Sequence, residues 1–222
     1  MTGPGDDSTG STGGGVLLGP VTGDDFAVPF PVVALIASAG GVDALSRVLA
    51  PLPADLPAAV LVVLHQDPAT PGQRLAAILA RRTTMPVRIA ADNEVLRPGL
   101  VLVIPPGRHL LITSPGRIGL IETGALPPSR PSADLLLATL AVTCGPRALA
   151  VILTGMGHDG QAGVRAIGHC GGTVIAQDQD TSAFFSMPSA AIMTGRVSQV
   201  LALDDISAAI TVHTTSRPRS GA

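Results

Sequence analysis

The chain has no lysine, no tryptophan and no tyrosine, and all 14 of its basic residues are arginine. A lysine nucleophile, a Schiff base and a Walker-type phosphate lysine are therefore excluded. Four phenylalanines are the whole aromatic content, too few for a base-stacking platform or an aromatic sugar shelf. Charge of one sign is missing too. Fourteen basic against 16 acidic residues give a formal net charge of −2, whereas binding by counterion release needs a basic excess, so no nucleic-acid partner is expected. The two cysteines, Cys144 and Cys170, make no disulfide framework and match no zinc spacing. They read as buried free thiols in a reducing cytoplasm. No metal and no cofactor is expected. The start lacks the basic and apolar segments of a signal peptide, and no apolar run approaches ~20 residues, so no membrane insertion is expected.

What is present is material for one domain: 222 residues, 46% of them hydrophobic, with 26 glycines and 20 prolines to make turns. Residues 1–28 are rich in Gly, Ser, Thr and Asp and read as a flexible leader. Residues 29–213 carry the folded domain, and 214–222 a flexible polar tail. Uninterrupted apolar runs at 32–36, 59–64 and 149–153 read as buried strands, with shorter ones at 87–90, 101–104, 173–177 and 199–202. Helical periodicity falls between them, at 42–49, 72–82, 132–143, 161–170, 188–194 and 203–210. The pair 110–112 and 119–122, split by Ser114-Pro115-Gly116, predicts a hairpin. The expected fold is α/β: three layers, α/β/α, around a doubly wound, mostly parallel sheet with an antiparallel hairpin.

In such sheets ligands bind beyond the carboxyl ends of the strands. Three loops qualify, and they offer Ser38, His65 and Asp159. A serine nucleophile needs a base to take its proton, and the base needs an acid to orient it. Taken singly, each residue has another reading. Ser38 before Gly40 and Gly41 also suits a phosphate-cradling turn or a cap, His65 a satisfied core histidine, and Asp159 a turn or N-cap residue. His158 is a rival base. Glycines on both sides of Met156, and Gly40-Gly41 at a helix start, offer backbone amides for an oxyanion hole. Met156 equally suits core filling. A Rossmann-type nucleotide site is excluded, because the glycines after the first strand are not spaced G-x-G-x-x-G.

Several stretches then carry a resemblance. IASAGGVDAL (36–45), VVLHQDP (62–68), VIPPGRHLLI (103–112), RPSADLLL (130–137), ILTGMGHDGQAG (152–163) and IAQDQDTSAFFSMPSAAI (175–192) resemble the catalytic domain of the CheB-type chemotaxis protein-glutamate methylesterases. The likeness spans roughly residues 31–210. It implies a serine hydrolase that cleaves glutamate γ-methyl esters on the cytoplasmic helical bundle of methyl-accepting chemoreceptors, releasing methanol, with deamidation of receptor glutamines as a second activity. By motif it makes Ser38 the nucleophile, His65 the base and Asp159 its orienting acid. Ala39 and Met156 fall at the oxyanion and substrate positions, and His158 is demoted. Arg130 and Asp134 either shape the cleft or simply begin a helix. Two departures stand out: Ile36 where the family has glycine, and Ala39 where well-known members have threonine. Such enzymes usually carry a phospho-receiver domain ahead of the catalytic one. A leader of about 28 mostly polar residues is too short for that, so activity is expected to be either unregulated or gated by a regulator chain acting in trans. The alternatives are a lapsed, regulatory binding module of a chemosensory pathway, or an esterase turned to another ester.

Overall fold

The computed structural model describes residues 28–65, 72–122 and 131–216. Along these, β1 (Val32–Ala37) leads into α1 (Gly41–Leu49), β2 (Ala59–Leu64) and α2 (Gly72–Ala80). Two short strands follow, β3 (Val87–Ile89) and β4 (Leu100–Val103), then β5 (Arg108–Thr113) and β6 (Arg117–Glu122). The second half runs α3 (Ala133–Cys144), β7 (Ala148–Ile152), α4 (Gln161–His169), β8 (Thr173–Gln177), α5 (Ser186–Ile192), β9 (Gln199–Leu201) and α6 (Ile206–Thr215). Seven strands form one sheet in the order β3-β4-β2-β1-β7-β8-β9. Every pairing in it is parallel. The hairpin β5–β6 is antiparallel and forms a separate two-stranded sheet.

Alternation along the central strand shows why these apolar runs are continuous. Val32, Ala34 and Ile36 of β1 enter the core shared with α3, α4, α5 and the hairpin. Val33, Leu35 and Ala37 enter the opposite core, with α1, α2 and α6. A strand covered on both faces has no polar side to show, so it reads as an unbroken hydrophobic stretch. Ile36 is one of these fully buried residues. It is a core side chain of the sheet rather than part of the loop that follows.

The sheet also fixes where a site belongs. From β1 the chain turns outward to β2 on one side, while β7 lies on the other. The crevice between the ends of β1 and β7 is the topological switch point, where adjacent crossovers diverge and leave room for a ligand.

Some boundaries differ from the sequence reading. Val28, placed in the leader, is buried against the core. The last helical stretch divides into a 3-10 turn, Leu203–Asp205, and α6, which continues to Thr215. Thr214, placed in the tail, is therefore helical and buried, its hydroxyl donating to the Thr211 carbonyl at 3.1 Å. Threonines that bond back along their own helix hide a helix end from composition alone. Helix α5 starts two residues before Pro188, which sits in the first turn, where an N–H has no intrahelical acceptor to lose. Residues 1–27 and 217–222 lie outside the described residues. Cys144 is fully buried and its thiol is pushed up to about 12 by burial, against the pull of Arg147. Cys170 is only half-buried, and both are free thiols.

Candidate active site

Ser38 and His65 are each the first residue beyond a strand. The β1–β2 register pairs Ala37 with Leu64, and the His65 N–H donates to the Ala37 carbonyl at 3.0 Å, carrying the ladder one step further. The two side chains thus start from adjacent positions on one sheet edge. On the other flank the Ser38 N–H donates to the Thr154 carbonyl at 3.0 Å. Asp159 comes in from the loop after β7. His65 Nε2 lies 2.9 Å from Asp159 Oδ2, with both side chains largely shielded. The ring does not aim its N–H along that line, so this buried nitrogen has the contact without an aligned hydrogen bond among the described residues.

Asp159 is held by a second helix. Its carboxylate accepts from the Ala133 N–H at 2.8 Å, the Asp134 N–H at 3.2 Å and the Ser132 hydroxyl at 3.4 Å. These are the free donors at the start of α3, where the helix dipole also favours an anion. Burial alone pushes the carboxyl up. The His65 ring and the two amides outweigh that and hold it below the usual carboxylate range. The sequence left open whether Asp159 is an acid partner or a cap. It contacts His65 and caps α3, although not the helix it precedes. Asp134 returns the arrangement: its carboxylate accepts from the Gly163 N–H of α4 at 2.8 Å. Arg130 lies outside the described residues.

The oxyanion candidates sort by what their amides already do. The Gly41 N–H donates to the Ser38 carbonyl at 2.8 Å, and the Gly155 N–H to the Phe184 carbonyl at 2.9 Å. Neither is available, which removes two of the glycine amides the sequence offered. The N–H groups of Ala39 and Met156 take no backbone partner among the described residues. Met156 is 56% exposed, so core filling is not its role. His158, the rival base, is exposed to solvent.

Three residues that matter here were invisible as site residues in the sequence. Thr154, buried, accepts from the Phe184 N–H at 2.9 Å and reaches the Ala39 carbonyl at 3.1 Å and the Phe184 carbonyl at 3.3 Å. It ties the loops after β1 and β7 to the segment before α5. Met187, buried, lies beneath Gly155. His109, fully buried on β5, accepts the Ser132 N–H on Nδ1 at 3.1 Å. A histidine beside the apolar run 110–112 was the one available signal for it.

Gly155 is a glycine because nothing larger fits. A Cβ there would stand 2.7 Å from Met187 Cε and 2.8 Å from Ser38 Cβ. Gly155→Ala therefore has to displace both Ser38 and the methionine. It is expected to lower turnover by about 10²-fold, since misplacement by ~1 Å costs that much. Steady-state kinetics beside a thermal melt checks it: the activity loss should appear in protein that remains folded.

Among the described residues no helix is long and apolar enough to cross a membrane. No group of three His, Cys, Asp or Glu side chains there is placed to hold a metal ion.

Comparison with known proteins adds the family. Residues 33–210 match the family model described as CheB methylesterase. The chain is 45% identical over 188 residues to a protein-glutamate methylesterase/protein-glutamine glutaminase of Moorella thermoacetica, covering 83% of this chain and 44% of that one. It is 40% identical over 183 residues to the protein-glutamate methylesterase FrzG of Myxococcus xanthus, covering 82% and 54%. The chain spans about half the length of these curated relatives. In structure it is similar to the crystallised CheB methylesterase catalytic domain of Thermotoga maritima, with a TM-score of 0.78 and 32% identity over 82% of this chain and 98% of that one.

Proposed function

The chain belongs to the CheB methylesterase family, and on that premise we propose that it hydrolyses glutamate γ-methyl esters on the cytoplasmic helical bundle of methyl-accepting chemoreceptors. Ser38, His65 and Asp159 carry the reaction. The observation that bears most weight is the meeting of three loops at the switch point: Ser38 beside His65 in register, and His65 Nε2 2.9 Å from the Asp159 carboxylate.

With Nε2 lying against the Asp159 carboxylate, Nδ1 is the ring atom this reading assigns to Ser38. The imidazole takes the hydroxyl proton as Oγ attacks the ester carbonyl. Negative charge gathers on the carbonyl oxygen, and the Ala39 and Met156 N–H groups, which take no backbone partner among the described residues, are the donors this reading assigns to it. The intermediate collapses. His65 returns its proton to the methoxide, methanol leaves, and the glutamyl group remains as an ester on Oγ. Water, deprotonated by His65, attacks that ester, frees the glutamate carboxylate and restores Ser38. Asp159 stays ionised throughout and stabilises the charged imidazole. A receptor glutamine passes through the same steps with ammonia as the leaving group, which accords with the double name of the Moorella relative.

A fluorophosphonate probe tests the site directly. It is expected to label the chain on one residue, with the modified peptide containing Ser38 and pre-labelling abolishing ester hydrolysis. Absence of labelling in folded protein would favour the lapsed, regulatory module instead.

A further inference from the structure

Resting on the methylesterase reading, we infer that Phe184 determines specificity at this site: with Met156 it forms an apolar wall that receives the neutral ester and turns away the free carboxylate. The placement comes from the backbone. Phe184 is held on both sides, its N–H donating to Thr154 Oγ1 at 2.9 Å and its carbonyl accepting from Gly155 at 2.9 Å. Ala183, the residue before it, lies over the Ser38–Gly41 turn. A Cβ at Gly40, whose φ of +76° already favours glycine, would stand 2.9 Å from Ala183 Cβ. The segment is thus locked to both loops that flank the nucleophile.

Two side chains on this rim are apolar and exposed. Phe184 is one of only four phenylalanines, and it is left 41% exposed. Met156, one residue beyond Gly155, is 56% exposed. Single exposed apolar side chains are common. The hydrogen bond between Gly155 and Phe184 brings the backbone segments of these two residues together beside Ser38. A phenyl on fixed backbone has two torsions left to order, so it makes contact at small entropic cost.

Charge points the same way. Residues 38–43, 154–160 and 178–187 contain no arginine, while Asp43, Asp159, Asp178 and Asp180 lie within them. A glutamate methyl ester is uncharged and suits an apolar wall. The product carboxylate would be desolvated against that wall, and these three stretches supply no arginine to pair with it. The same surface thus draws substrate in and sends product out.

The experiment compares the parent chain with Phe184→Ala, Phe184→Leu and Phe184→Arg on a methylated chemoreceptor cytoplasmic fragment. The unmethylated fragment serves as product inhibitor, and a thermal melt accompanies each variant. Phe184→Ala is expected to lower kcat/KM by about tenfold, chiefly through KM, the usual scale for trimming a side chain that lines an apolar pocket. Phe184→Leu should recover most of that loss. Phe184→Arg should bind the unmethylated fragment more tightly than the parent does, making it a stronger inhibitor. Folded variants with the parent's KM and the parent's inhibition would overturn the inference while leaving the methylesterase reading intact. A parent chain inert on the methylated fragment would overturn that reading, and the inference with it.

Discussion

Asp159→Asn is expected to cut kcat by about 10⁴-fold and to destabilise the fold in the same step. The kinetic loss follows from the imidazole. An amide cannot stabilise the charged ring as a carboxylate does, and it lets the ring adopt the wrong tautomer. The stability loss follows from the other side of the same carboxylate, which accepts from Ala133, Asp134 and Ser132 at the start of α3. An amide has one acceptor oxygen, and its NH2 would face donors. The expected cost is about 1–3 kcal/mol for donors left unmatched. The pH dependence separates the two effects. Because the folded carboxyl lies below its usual range, its contribution is complete above the unfolded value of about 3.9 and fades as pH falls through the folded one. Urea melts of parent and variant should therefore differ most near neutrality and converge in acid. A gap that stayed constant down to pH 2 would mean that the charge on Asp159 does not stabilise α3.

Ser38→Ala is expected to have the larger kinetic effect and almost no structural one. Removing the nucleophile of a serine hydrolase lowers kcat by about 10⁶-fold. The hydrogen bonds that shape this turn use the Ser38 backbone, through its N–H to Thr154 and its carbonyl to Gly41. Alanine retains both. The variant should melt with the parent and still bind methylated substrate, which separates chemistry from folding more cleanly than Asp159→Asn does.

The two substitutions also mark what was legible in the sequence. The sheet was readable because its strands are buried on both faces, so that apolar runs such as Ala59–Leu64 stand out, while the strands read at 32–36, 101–104 and 149–153 differ from the observed ones by one residue at one or both ends. The rule that ligands sit at strand carboxyl ends then singled out the loops of Ser38, His65 and Asp159. What stayed hidden depends on contacts between distant segments. No spacing tells that Asp159 caps α3 rather than α4, or that His109 on the hairpin meets Ser132. The use of the Gly155 amide by Phe184 was likewise invisible. Glycine at that position suggested a free oxyanion donor, whereas its role is close approach to Ser38 and Met187. The family resemblance assigned roles to side chains. It could not show which backbone amides were already engaged.

The most direct measurement is methanol release from a methylated chemoreceptor cytoplasmic fragment, carrying isotopic label in the ester methyl group, by the parent chain and by Ser38→Ala. The account predicts labelled methanol from the parent and none above background from the variant, with both proteins melting alike. Release by Ser38→Ala at the parent's rate, or no release by either, would contradict it.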